Sequence, residues 1–149
     1  MILTTQMESL MHKFAYILLA ALGVASLPVQ ADVESAQKLA DKYAAFAKNI
    51  DPAYKPSAEA GRAFFTRKLL VHGKELSCST CHTDNPAAEG KNVKNGKAIK
   101  PLAPSANPKR FSDLDKVEAN FEKHCIDVIG KDCKAAEKAD YITYLLTVK

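Results

Sequence analysis

Cys78-Ser79-Thr80-Cys81-His82 is the stretch on which the reading of this chain turns. Two cysteines three positions apart, with a histidine directly after the second, form the attachment signature of a c-type haem. Each cysteine sulfur can form a thioether to a vinyl group, while the histidine lies beneath the porphyrin and supplies the proximal nitrogen to iron. The weaker readings of a CxxC are a redox dithiol and half of a zinc site. A redox dithiol belongs in a βαβ setting, and no β-rich run flanks these residues. A structural zinc site pairs two close ligand couples, and the remaining cysteines, Cys125 and Cys133, stand too far apart for a second CxxC. Cys78 and Cys81 are therefore read as haem-attachment residues and His82 as an iron ligand.

Haem attachment of this type takes place outside the cytoplasm, so the chain should carry an export signal. Met11-His12-Lys13 reads as a short basic opening, Phe14 to Leu27 as an uncharged apolar run, and Val29-Gln30-Ala31 as a small-residue cleavage site before Asp32. The run is shorter than the roughly 20 residues of a membrane span, and an uncleaved anchor is the alternative. The expectation is a signal peptide over residues 1–31, removed on export. What remains is one soluble, periplasmic monohaem domain over residues 32–149, a monomer with no stable membrane insertion. Cleavage would take away Glu8 and Lys13, which leaves the formal net charge of +4 unchanged. So mild an excess does not suggest nucleic acid. A domain of this size gains from extra fastening, which a covalent haem and, in an oxidising compartment, a disulfide can supply.

Apolar periodicity predicts helices and few strands. Ala36, Leu39, Tyr43, Phe46 and Ala47 mark a helix over 33–49, broken by Pro52 to Pro56. Ser57 can cap a second helix, with Ala60, Phe64 and Phe65 on its apolar face, running to about Leu69. Residues 83–110 should be mostly loop. Ser112 with Asp115 resembles a capping box for a helix reaching about Ile129, with Gly130 as C-cap. A last helix spans Glu137 to Thr147, and the whole reads as an all-α domain.

The second iron ligand is approached by elimination. Met1, Met7 and Met11 are the chain's methionines, and all precede the cleavage site, so the mature chain would have none to offer. What remains is His72, His124, a lysine, an asparagine, water or an empty site. His72 lies in a short Gly-containing turn before Cys78, poorly placed to cross to the distal face. Val117, Phe121, His124 and Val128 step by four, three and four, which puts His124 on a buried helical face. An imidazole there needs a polar or metal partner, which favours His124 over a hydrogen-bonded core histidine. Cys125 and Cys133 are the cysteines left over, and an oxidising compartment makes a disulfide between them the natural reading, with two free thiols as the alternative. Such a bridge closes a loop of about nine residues, worth roughly 2.5 kcal/mol.

Taken together, these residues resemble the cytochrome c″ family of small monohaem proteins, and through it the SHP-type oxygen-binding cytochromes. The resemblance spans the mature chain. It is most specific at Gly61-Arg62-Ala63-Phe64-Phe65, at the haem motif with Thr83-Asp84-Asn85-Pro86, and at Gly96-Lys97 through Pro101-Leu102-Ala103-Pro104. Arg110-Phe111, Lys123-His124-Cys125 and Val128-Ile129-Gly130 to Asp132-Cys133 complete it. It implies a class I cytochrome c-like fold, about four or five helices around one covalently bound haem, with the helix bearing Gly61 and Phe65 crossing the last helix near Tyr141 and Tyr144. It also implies His124 as distal ligand, where SHP-type proteins carry asparagine, and a Cys125–Cys133 disulfide. Release of the distal histidine on reduction, and binding of small diatomic ligands at the vacated iron, are implied as well.

The function expected is electron transfer rather than enzymatic turnover, with minor reductase activity at the open iron as a lesser possibility. Oxygen or nitric oxide binding or sensing is the alternative. Lys91, Lys94, Lys97, Lys100, Lys109 and Arg110 form a basic stretch. It can dock an acidic redox partner or simply be a solvated loop, and Arg110 is a candidate for the haem propionates.

Overall fold

Alanines at Ala36, Ala40, Ala44 and Ala47, spaced three and four apart, line the buried side of helix α1 (Pro28–Lys48) with Leu39 and Tyr43. Small side chains on that stripe let α1 lie close against the last helix, α5 (Ala135–Thr147), whose buried residues are Ala139, Ile142, Tyr144 and Leu145. The computed structural model describes residues 28–149, with side chains in the first helix from Asp32 onward. The expected methionines, and all but the last four residues of the expected signal peptide, lie outside the described residues. Helix α1 runs continuously through Ala31 and Asp32.

Helix α2 (Ala58–Thr66) starts at Ser57, whose hydroxyl accepts the Ala60 N–H at 3.2 Å. It buries Gly61, Phe64 and Phe65 against α5. Gly61 marks the crossing: a Cβ there would overlap the Asp140 carbonyl and come within 2.8 Å of the Tyr144 Cβ. Asp140 also clamps the preceding linker, accepting from the Tyr54 hydroxyl at 2.7 Å and the Ser57 N–H at 2.8 Å. The crossing of the Gly61 helix with the Tyr141–Tyr144 region is thus present, with Phe65 5.8 Å from the Tyr144 ring.

Two short ribbons interrupt the helices. Strand β1 (Leu69–Val71) pairs antiparallel with β2 (Lys74–Leu76) across a turn in which both His72 and Gly73 have positive φ, the conformation that suits a two-residue hairpin. Strand β3 (Gly90–Lys91) pairs with β4 (Ala98–Ile99). Such strands are too short to leave an alternation signal. Helix α3 is the haem motif itself, Cys78–His82. Helix α4 (Leu114–His124) is capped by Asp113, whose carboxylate accepts the Lys116 N–H, rather than by Ser112. The helix expected to reach Ile129 changes character at its end: Cys125–Ile129 is a π-helical turn, closed by Gly130 at φ 78°. Helix α5 begins two residues earlier than expected, with Glu137 accepting the Lys134 N–H at 2.9 Å. Five helices and two ribbons among the described residues make this an all-α fold in class.

Candidate haem site

Ser77 builds the haem-motif turn. Its hydroxyl accepts the Thr80 N–H, and the Thr80 hydroxyl accepts the Ser77 N–H, a reciprocal cap that fixes the start of α3. Three positions apart on one turn, Cys78 and Cys81 share a face, and His82 follows directly. The helix ends at Thr83, whose φ of 61° is a value rarely met in a β-branched residue. Ribbon β3–β4 then closes down on the motif so tightly that a Cβ on Gly90 would overlap the Cys81 carbonyl.

These elements surround a cavity of about 370 Å³. Cys78, Cys81 and His82 line one side, and Phe64, Leu102, Phe111, Phe121, Tyr141 and Leu145 make much of the wall. Opposite His82 stands His124, with ring centroids 6.5 Å apart and planes at 81°. Metal–imidazole bonds of about 2 Å on each side, plus roughly 1 Å from each coordinating nitrogen to its ring centre, account for a separation of that size. His124 Nδ1 lies 2.8 Å from the Asn120 carbonyl; donation there leaves Nε2 as the nitrogen free to ligate. Burial, reinforced by the charges of Arg110 and His124, pushes His82 down to about 4, so its imidazole stays neutral and able to coordinate. Burial pushes the Cys78 thiol up to about 11. That is opposite to the lowered thiol of a redox dithiol, and it weighs against that reading of the motif. Two thiols on one turn, an apolar-walled cavity and two facing imidazoles fit a covalently attached haem.

His124 corrects one expectation. Val117 and Phe121 are buried, but His124 is exposed and Val128 only half-buried. The face that the spacing defines continues off the core and over the cavity mouth, and the π-helical turn begins directly after His124. His72 is exposed in the hairpin turn. Cys125 and Cys133 are joined in a disulfide, with Cα atoms 5.5 Å apart. Arg110 and Lys94 line the cavity, and Lys94 lies 3.9 Å from Asp127 across its rim. Sequence reasoning missed the Asn120 carbonyl. It also missed Asp32, whose buried carboxylate accepts the Phe111 N–H at 2.8 Å and so ties the start of α1 to the cavity wall.

An all-α fold wrapped around a CxxCH motif in this way defines a monohaem c-type cytochrome. The comparisons with known proteins agree. Residues 51–145 match the family described as domain of unknown function DUF1924. The chain is 50% identical over 133 residues to cytochrome c″ of Methylophilus methylotrophus, covering 87% of this chain and 92% of that protein. It is 44% identical over 90 residues to cytochrome c-type protein SHP of Cereibacter sphaeroides, covering 59% and 68%. The crystal structure of the oxidised Methylophilus protein superposes with a TM-score of 0.76 at 52% identity, over 79% of this chain and 98% of that one. That of oxidised SHP, an oxygen-binding cytochrome c, gives 0.65 at 37%, over 74% and 94%. This chain belongs to the cytochrome c″ family, and it is a haem c protein.

Proposed function

We propose that the protein is a periplasmic electron carrier, not an enzyme, in which Cys78 and Cys81 hold the haem and His82 and His124 ligate its iron in the oxidised state. Haem, when bound, supplies a metal that can take up and give back one electron. The observation that carries this reading is the facing of His82 and His124 across the cavity at 6.5 Å.

His124 is proposed to leave on reduction. An imidazole is held by the positive charge it faces and is held less tightly once an electron has lowered that charge. His124 sits where departure is easiest, exposed, at the junction of α4 with a π-helical turn. A solution structure of the Methylophilus protein bears on haem-ligand detachment in that relative. A released imidazole can take up a proton, so electron uptake would be coupled to proton uptake. The midpoint potential tests this. It should fall as pH rises, by up to about 59 mV per pH unit. A potential flat across the acid range would contradict proton coupling.

A redox partner would approach the ribbon carrying Lys91, Lys94, Lys97 and Lys100, where Val93 is 57% exposed on the cavity rim. Positive charge there suits an acidic protein surface. The second reading, binding of oxygen or nitric oxide at the site His124 vacates, is favoured by the likeness to SHP, an oxygen-binding cytochrome c. Tight carbon monoxide and nitric oxide binding by reduced protein, with slow exchange of electrons with carriers, would favour it over electron transfer.

A further inference from the structure

We infer that Glu118, gripped by Tyr43 and Lys42 of α1, is a positioning residue that holds α4 in the place where His124 can ligate; the inference rests on the reading of His124 as the distal ligand. The Tyr43 hydroxyl donates a hydrogen bond to one Glu118 carboxylate oxygen, and Lys42 Nζ lies 3.0 Å from the other. Both contacts join α4 to α1. Rings reinforce them. Tyr43 meets Phe121 edge-on at 5.8 Å, and Lys138 Nζ sits 5.0 Å from the Tyr43 ring and 5.5 Å from that of Phe121.

The arrangement along α4 gives the grip its leverage. Glu118, Phe121 and Cys125 follow one another by three and four, so they form the stripe that faces α1 and α5. His124 is one turn past Phe121, beside that stripe and over the cavity. Glu118 therefore fastens the middle of the helix, and the Cys125–Cys133 bridge fastens the chain just past its end. A hydroxyl-to-carboxylate bond is charge-assisted and stronger than a neutral one, and here it is partly shielded from solvent. Loosening it frees α4 to shift, and His124 shifts with it.

The test is the rate at which added imidazole replaces His124 in the oxidised holoprotein, a step gated by departure of His124. Tyr43→Phe keeps the ring on Phe121 and removes only the hydroxyl; Glu118→Gln removes the charge. Each should speed replacement roughly tenfold, with no further gain when combined. Tyr54→Phe deletes a similar hydroxyl–carboxylate bond, to Asp140, away from α4, and should leave the rate unchanged. Unchanged rates in Tyr43→Phe and Glu118→Gln would overturn the inference. So would acceleration in all three variants in proportion to lost stability measured by denaturant, because that is a purely structural role. A His124→Ala protein whose oxidised spectrum and imidazole uptake match wild type would overturn the ligand reading itself, a result distinguishable from failure of the Glu118 grip alone.

Discussion

The imidazole rings of His82 and His124 face each other 6.5 Å apart with their planes nearly perpendicular. The two residues come from elements of unlike stability. His82 ends a short helix locked by a reciprocal cap and covered by the β3–β4 ribbon. His124 ends a helix joined to the rest of the fold by a few side chains and a disulfide. Under the proposed ligation one member of the pair is fixed and the other movable, and the expectations below follow from that proposal.

Acid should loosen α4. Burial pushes the Glu118 carboxyl up, but the Tyr43 hydroxyl, Lys42 and Lys138 outweigh it, so Glu118 ionises below the ordinary glutamate range. A carboxyl with a depressed folded-state pKa contributes stability that is full above its unfolded pKa and is lost as pH falls through the folded one. Here the contribution is complete above about 4.5 and fades below. Denaturant unfolding should therefore show Glu118→Gln less stable than wild type near neutrality, with the gap narrowing as pH falls below about 4.5. A gap of constant size at every pH would contradict this.

Gly61→Ala should disrupt the core crossing of α2 and α5. The new Cβ would overlap the Asp140 carbonyl and crowd the Tyr144 Cβ, both on a helix packed along its length. Overpacking of this sort costs about 1–3 kcal/mol or more. Unfolding midpoints should fall accordingly, while a variant as stable as wild type would show that the helices part without cost.

Much of this fold was legible in the sequence because its signals are local. The cap at Ser57, the αL residue at Gly130 and the CxxCH turn are each set by residues within a few positions. What stayed hidden depends on distant chain segments or on near-equal local choices. Ser112 and Asp113 are both good caps, and the structure uses Asp113. Apolar spacing runs on unchanged through Cys125–Ile129, so nothing in it marks the switch to a π-helical turn. His124 lies on the face the spacing defines, yet spacing cannot say whether core or cavity lies opposite. Neither the Tyr43–Glu118 bond nor the Asp32–Phe111 bond, each between remote positions, leaves a sequence signature.

Removing the bridge with Cys125→Ala and Cys133→Ala together should lower stability by roughly 2.5 kcal/mol. Equilibrium unfolding of the double variant, and of wild type with and without reductant, measures it. The two proteins should converge once wild type is reduced; a double variant matching oxidised wild type would contradict the role given to the bridge.

Electron transfer with an acidic partner should slow as salt is added, since the lysines of 91–100 act over distances that salt screens within about 8–10 Å. Stopped-flow rates across ionic strength would show it, and replacing Lys91, Lys97 and Lys100 with glutamine should flatten the dependence. Rates indifferent to salt would mean that this ribbon is not the docking surface.

The central claim is that His124 ligates in the oxidised protein and departs on reduction. Visible spectra through a redox titration, recorded across pH for wild type and His124→Ala, test it most directly. Wild type should be low-spin when oxidised and high-spin when reduced, and His124→Ala high-spin in both states. A wild-type protein that stays low-spin after reduction at every pH, or an oxidised His124→Ala protein that stays low-spin, would contradict it.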